Sequence, residues 1–401
     1  KGREADAQTI GRELKVSAVL TGSILPHSET LIVSAELIDA QDNRHIWGER
    51  YNREATNIFQ LQEAISSEIA EKLRLQLIGE EKQRLAGRVS PNPEAYRSYL
   101  KGRFHFHKLT PEGVQKGIEY FRQALETDPD YAMAYAALSD CYNYLGNSAE
   151  AKQAALRALE LDETLGEARA SLAFVTFMYD WDFEGAEREF KLALRMSPGY
   201  AEAHHWYAVF LANMGRSDEA LAEARRAEEL DPVSLLMSMT AGLTLFCAHA
   251  YDRAFEEFQR VLEMEPNFIP ARSLLGHTYE QKGLFNEAVA EYAKVVEGTG
   301  GNAAVETAIT AAIGRVHARC GRIDQAIEAL NKISERGDEI AILVAEVYAA
   351  LGEKDRAFEW LDKAYEKHDL QLASLKVDPN LDSLRSDPRF ADLLRRVGLP
   401  E

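Results

Sequence analysis

Eight small residues recur down this chain at a nearly constant interval: Gly117, Ala151, Ala186, Ala220, Ala254, Ala288, Ala326 and Ala357. The steps between them are 34, 35, 34, 34, 34, 38 and 31 residues. Such a period means that one supersecondary unit is copied along the chain, each copy burying its apolar face against its neighbours. The small residues open segments such as Ala220-Leu-Ala-Glu-Ala, Ala254-Phe-Glu-Glu-Phe, Ala288-Val-Ala-Glu-Tyr and Ala326-Ile-Glu-Ala-Leu. Small or apolar residues four apart lay a stripe along a helix. A small residue at a fixed place on that stripe lets an antiparallel partner helix approach closely.

Punctuation keeps the same register. Gly146, Gly215, Gly283, Gly321 and Gly352 stand a few residues ahead of the small residue. There a helix end needs a left-handed residue, which costs a side chain about 1–2 kcal/mol. Pro129, Pro198, Pro232 and Pro266 follow twelve residues after it and end the second helix. Each unit therefore reads as a helical hairpin, with a first helix A and a second helix B. Over Asn267–Val296 the residues Leu275, Gly276, Tyr279, Gly283, Phe285, Ala288 and Tyr292 fall in one pattern. That pattern resembles the tetratricopeptide repeat (TPR) family, and the resemblance covers about 93–364. It implies a mainly α fold, an α-α superhelix of about eight repeats over 89–364, with 365–401 as a C-terminal capping segment. Three departures stand out: Glu163 in place of proline, Gly117 in place of Ala, and Trp181 in a one-residue insertion. The 38 and 31 spacings around Gly298–Asn302 predict a lengthened turn.

Residues 1–88 follow another period. Val16–Ile24, Leu31–Asp39 and His45–Tyr51 are rich in β-branched and aromatic residues, separated by Pro26-His-Ser-Glu and Gln41-Asp-Asn. They predict three strands. Helices are expected over Ala5–Leu14 and Asn57–Leu77, with Gly79–Pro93 as linker. The motifs Gly11-Arg-Glu-Leu, Val19-Leu-Thr-Gly-Ser, Ala35-Glu-Leu-Ile-Asp-Ala and Ile46-Trp-Gly-Glu-Arg-Tyr resemble the back half of the TolB-like amino-terminal α/β domain. That resemblance implies a small, incomplete α/β domain, with any effector module upstream of Lys1. In bacteria such a domain precedes TPR arrays behind a serine/threonine kinase, a nucleotide cyclase or a winged-helix module. The phrase Asn92-Pro-Glu-Ala-Tyr…Tyr99-Leu-Lys-Gly-Arg points to the kinase-linked group. Either face of a membrane fits such an arrangement, so the compartment stays open.

Charge narrows the partners. Residues 1–90 hold 12 Lys/Arg against 14 Asp/Glu, and residues 91–401 hold 34 against 51. An acidic array repels phosphate backbones, so no nucleic acid is expected. The run Pro232–Tyr251 lacks Asp, Glu, Lys and Arg over 20 residues, yet it sits in repeat register and carries Ser234, Ser238, Thr240, Thr244 and His249, so no membrane span is expected within the chain. Cys141, Cys247 and Cys320 lie far apart, with neither a disulfide framework nor zinc spacing. His105 and His107 diverge on a helix, and Gly298-Thr-Gly-Gly reads as a turn rather than a phosphate cradle. No catalytic, cofactor-binding or metal-binding residues are assigned, and the chain is not expected to be an enzyme.

The family geometry implies that helices A line a concave groove. By register its candidate lining is Phe174, Phe177, Met178, His205, Val209, Asn213, Met239, Leu243, Phe246, Cys247, His277, Glu280, Gln281, Arg315 and Arg319. An apolar bed beside two arginines fits a protein or peptide partner with an acidic group. The carboxylate-clamp positions of chaperone-tail binders hold Asp140, Phe174, Val209, Leu243 and His277, which do not match. The function expected is an interaction scaffold or sensor segment of a larger bacterial signalling protein. The alternatives are an accessory part of an upstream kinase or cyclase, and a self-associating homo-oligomeric array.

Overall fold

A computed structural model of the chain describes residues 8–9, 18–27, 30–40, 42–54, 92–299, 301–335 and 337–400. The chain divides into two compact units, Lys1–Ala134 and Tyr135–Glu401.

In the first unit, β1 (Ala18–His27), β2 (Thr30–Asp39) and β3 (His45–Glu54) form an antiparallel meander in the order β1-β2-β3. Pro26 and His27, expected in a turn, belong to β1, with Pro26 opposite Leu31. An edge strand tolerates proline, since one row of its N–H groups has no ladder partner. Ala35, Leu37 and Tyr51 are buried, and Trp47 lies opposite Leu37 on the same side. The helices expected over 5–14 and 57–77 and the linker over 79–93 lie outside the described residues, apart from helical Gln8 and Thr9 and from Asn92 and Pro93. The unit also holds a helical hairpin, α1 (Pro93–Phe106) and α2 (Pro111–Thr127). Side chains of Asn92 and Thr110 cap the two helices by accepting from Glu94 N and Gly113 N at 2.9 and 3.0 Å.

The second unit opens just inside α3 (Ala132–Leu145) and continues with α4 (Ser148–Leu161), α5 (Gly166–Met178), α6 (Phe183–Met196), α7 (Ala201–Asn213) and α8 (Ser217–Leu230). Then come α9 (Leu235–Cys247), α10 (Tyr251–Met264), α11 (Ile269–Gln281), α12 (Phe285–Gly298), α13 (Ala303–Arg319), α14 (Ile323–Ser334), α15 (Ala341–Leu351) and α16 (Lys354–Glu366). Two 3-10 turns, Leu370–Ser374 and Pro379–Leu384, lead to α17 (Pro388–Val397). Among the described residues no strand follows Glu54.

The recurring small residues sit where the sequence places them. Ala151, Ala186, Ala220, Ala254, Ala288, Ala326 and Ala357 are fully buried. A second set of small residues, on helix A, faces the helix-B residue four positions after them. A Cβ built on Gly242 would lie 2.6 Å from the Phe258 ring, and one on Gly276 would lie 2.6 Å from the Tyr292 ring. Gly102 meets Phe121 in the same way within the first unit. Where helix A carries Ala208 instead, helix B carries Ala224 and both are buried. These four hairpins thus close at a matched small-and-large or small-and-small crossing.

Helix A ends on a left-handed residue in every repeat from α3 to α15. The series runs Gly146, Trp181, Gly215, His249, Gly283, Gly321 and Gly352, all with φ between 54° and 80°. Trp181 and His249 take this backbone without glycine's freedom, which costs about 1–2 kcal/mol each.

Gly242→Val is expected to lower stability by about 1–3 kcal/mol through overpacking against Phe258. Gly283→Ala, with open space around it, is expected to cost about 1 kcal/mol through its left-handed backbone alone. Urea melts followed by circular dichroism would rank the two, and equal midpoints would refute the crossing argument.

Candidate functional site

The helix-A face of α5 to α15 is the only surface to which the sequence assigns a role, and much of it is covered by the chain's own C-terminal segment. Leu372, Leu375, Leu381 and Leu384 are fully buried, with Phe390, Leu393 and Val397 nearly so. They share one apolar core with Phe177 of α5, Phe183 and Phe190 of α6, Trp206 and Phe210 of α7, and Ile342, Phe358 and Leu361 of the last hairpin. The capping segment therefore reaches beyond the last repeat. It joins the third repeat to the eighth, because a face of seven large apolar side chains needs more cover than one hairpin supplies.

The segment meets the array mostly at helix-A ends and the turns after them. His368 stacks on Trp181 at 3.6 Å between ring centroids. Gly215 lies against the Lys376 side chain. The Gln281 amide donates to Asn380 Oδ1 at 2.9 Å. His249 stands 3.7 Å from the Asp382 carboxylate. Burial first, then the nearby Asp382 and Asp378, push the Tyr251 phenol up to about 12. Burial and Asp378 likewise push the Cys247 thiol up to about 12, so it is no nucleophile at neutral pH.

The candidate residues fall into three groups. Phe174, Met178, Val209 and Cys247 are half-buried against the shared core, with Phe174 tilted on Trp206 at 4.2 Å. Leu243 and Phe246 are half-buried too, Phe246 lying edge-on to Tyr251 at 5.6 Å. Phe177, His205, Asn213, Met239, Glu280 and Arg315 are buried, which corrects their expected role as an open lining. Phe177 among them lies in the core shared with the C-terminal segment. His205 Nδ1 lies 2.7 Å from Thr240 Oγ1. Thr240 gives its own proton to the Leu236 carbonyl, so His205 is the donor in that pair. Burial draws His205 down to about 4 and keeps it neutral.

Arg315 is fully buried and already answered within the chain. Its Nε and Nη2 donate to Glu280 at 3.1 and 3.2 Å, and Nη1 donates to Glu346 at 2.6 Å. His277 Nδ1 accepts from Arg315 Nη2 at 3.3 Å. Tyr292 donates its hydroxyl proton to Glu280 at 2.8 Å. Against the cost of its burial, Arg315, His277 and Arg319 hold the Glu280 carboxyl below the usual carboxylate range. Glu346 is driven the other way by burial and by the neighbouring Asp378. Arg319 remains about a quarter exposed and donates to Gln281 Oε1 at 3.2 Å.

Glu346 was missed by the sequence reading, although its register was available. Eleven residues ahead of the small residue stand Asp140, Val209, Leu243, His277, Arg315 and Glu346, so one row of helix A runs from apolar to charged. The 31-residue step hides the last member unless the register is counted back from Ala357. At the row's other end, Asp140 accepts from Ser171 Oγ and, at 2.7 Å, from Tyr200 OH. Among the described residues no three His, Cys, Asp or Glu side chains converge as a metal site, and no helix is long and apolar enough to cross a membrane.

Comparison with known proteins fits this architecture. Models of the tetratricopeptide repeat match residues 120–153, 180–238, 245–312 and 311–370. Putative adenylate cyclase 3 of Rhizobium meliloti is 32% identical over 139 residues, which are 35% of this chain and 24% of that protein. Transcriptional regulator HilA of Salmonella typhimurium is 26% identical over 151 residues, 35% of this chain and 27% of its own. These matches span about a quarter of either relative's length. Among solved structures, the Cut9–Hcn1 hetero-tetramer of APC/C aligns with a TM-score of 0.55 at 18% identity, over 81% of this chain and 61% of that one.

Arg315→Ala is expected to cost about 3–5 kcal/mol, because Glu280 and Glu346 stay buried without their cation. Arg315→Met with Glu280→Gln and Glu346→Gln together should cost less than Arg315→Ala alone. Denaturant melts would show the order, and equal costs would mean the cluster is solvated. For His205 the folded-state value lies below the free value of 6.5. Stability from keeping it neutral is complete above that value and is lost as pH falls toward 4, by about 3 kcal/mol at most. In His205→Gln the fall of Tm between these pH values should be shallower than in the parent chain.

Proposed function

Because the chain belongs to the tetratricopeptide repeat family, we propose that it is a non-catalytic protein-interaction scaffold within a larger bacterial signalling protein. The fold itself supports a protein partner, since stacked helical hairpins offer long recognition surfaces and no reactive pocket. The observation that carries the reading is the helix-A face, on which the half-buried Phe174, Val209 and Leu243 are followed by the half-buried His277, Gln281 and Arg319. Half-buried apolar side chains beside the partly exposed Arg319 and Gln281 fit a peptide or protein with an acidic group. The two relatives are named for unrelated outputs, cyclase and transcription regulator. Partial likeness to proteins of unlike output supports a recognition role more than a single chemistry.

In this reading residues 1–88 are the back half of a TolB-like domain, 89–364 the array, and 365–401 the segment that finishes it. The effector lies outside this chain. The match to the Rhizobium meliloti cyclase favours one second reading, an accessory part of a cyclase or kinase whose catalytic module is elsewhere.

Thermal shift against Mg-ATP, Mg-GTP, cyclic nucleotides and divalent metals separates the scaffold from a small-molecule site in this chain. A ligand at a hundred times its Kd adds about 2.7 kcal/mol and raises Tm by several degrees. No such rise is expected, and a saturable one would overturn the scaffold reading. Proteins captured from the source bacterium should then bind the purified chain directly at a fixed stoichiometry by isothermal titration.

A further inference from the structure

Two of the seven helix-A ends in the second unit depart from glycine, and both bear on the C-terminal segment. Trp181 has φ 54° and His249 has φ 59°. Trp181 stacks on His368, itself left-handed at φ 55°, and packs beside Tyr365 at 5.9 Å. His249 stands by Asp382. Backbone strain persists where surrounding contacts hold it, and here those contacts include His368 and Asp382 of the segment, beside Tyr365 of α16 and Tyr251 of α10. Glycine serves at the other five turns, so the strained residues are not needed to build the repeat.

The polar contacts along the rim of the segment are of the kind that exchanges readily, whereas Asp378 reaches in to the buried Glu346. His249 and Asp382 are each about 40% exposed. Gln281 to Asn380 is a single neutral hydrogen bond, and Arg319 sits on the same side. The leucines supply the adhesion and the polar edge supplies the register. The Asp378-Pro-Asn-Leu-Asp-Ser-Leu stretch accordingly displays, in cis, what this face recognises: two leucines three apart, each preceded by an aspartate two or three residues before it, on the side of His249, Tyr251 and Arg319.

We propose that residues 367–399 are a displaceable strap, and that the face beneath them receives in trans a partner segment of the same chemistry, acidic and leucine-bearing. Tethering gives the strap a high effective concentration, so it keeps the face closed until such a partner competes. This rests on the scaffold reading and names its site. A strap that never opens would leave the scaffold reading intact, with recognition on another surface.

The test uses the full chain and its Trp181→Gly/His249→Gly variant, which keeps the repeat turns and removes both strap contacts. Hydrogen exchange is followed alongside fluorescence anisotropy of a labelled peptide carrying residues 367–386. In the parent chain, amides of 370–384 should exchange at least about tenfold faster than those of α7 and α11, as local opening requires. The peptide should bind the variant at least about tenfold more tightly than the parent, and adding Arg319→Glu should cancel the gain. Strap amides protected as long as α7, equal peptide binding by parent and variant, or no binding to either would each overturn the proposal. Unchanged helical circular dichroism certifies that the variant is folded.

Discussion

Everything in the array depends on how near two antiparallel helices can come. Gly242 under Phe258 and Gly276 under Tyr292 leave no room for a methyl group, and Ala208 against Ala224 reaches the same closeness with smaller partners. This crossing fixes the tilt of helix B on helix A. The next hairpin inherits that tilt, so the helix-A ends fall in one row, and with them the turns that Trp181 and His249 occupy. A single overfilled crossing would shift that row, and the C-terminal segment could no longer touch several turns at once.

Between helices A and B a second, electrostatic tie recurs with the same period. Arg169 pairs with Glu189 at 2.8 Å, His204 with Glu223 at 2.5 Å and Arg272 with Glu291 at 2.8 Å. At the corresponding place α9 carries Ser238, and the released Glu257 instead meets Arg225 and Arg260. Partly exposed pairs of this kind contribute about 0.2–1 kcal/mol each. They are too weak to hold the hairpin but sufficient to disfavour a slipped register. The apolar crossing supplies stability and the ion pairs supply specificity.

The hairpins were legible in the sequence because their cause is local and periodic. A small residue, a glycine and a proline at fixed offsets need no knowledge of distant parts of the chain. The fate of the predicted groove was not legible for the opposite reason. Phe177 and Leu381 lie more than two hundred residues apart, and nothing in the pattern around either says that they share a core. Arg315 looked like a ligand-binding cation because its partner Glu346 is displaced by the irregular 38 and 31 steps. One clue did lie in the open: two repeats of the second unit lack the turn glycine, and an unfavourable residue at a left-handed position implies a compensating contact somewhere.

That compensation also bears on how the concave face can work. A segment held only by its leucines would slide along an apolar trough, because apolar contact has little directional preference. The stacked Trp181 and His368, with the polar contacts of His249 and Gln281, fix where Leu381 and Leu384 must sit. Such fixing contacts lie at the edge, within reach of water, whereas the Arg315 cluster lies in the dry interior. The two therefore differ in consequence. Breaking the buried cluster strands charges and endangers the fold, while breaking the edge contacts returns their polar groups to solvent at small cost. A scaffold that must both keep its curvature and yield its inner face needs that division, with the irreplaceable interactions inside the hairpins and the replaceable ones along the rim.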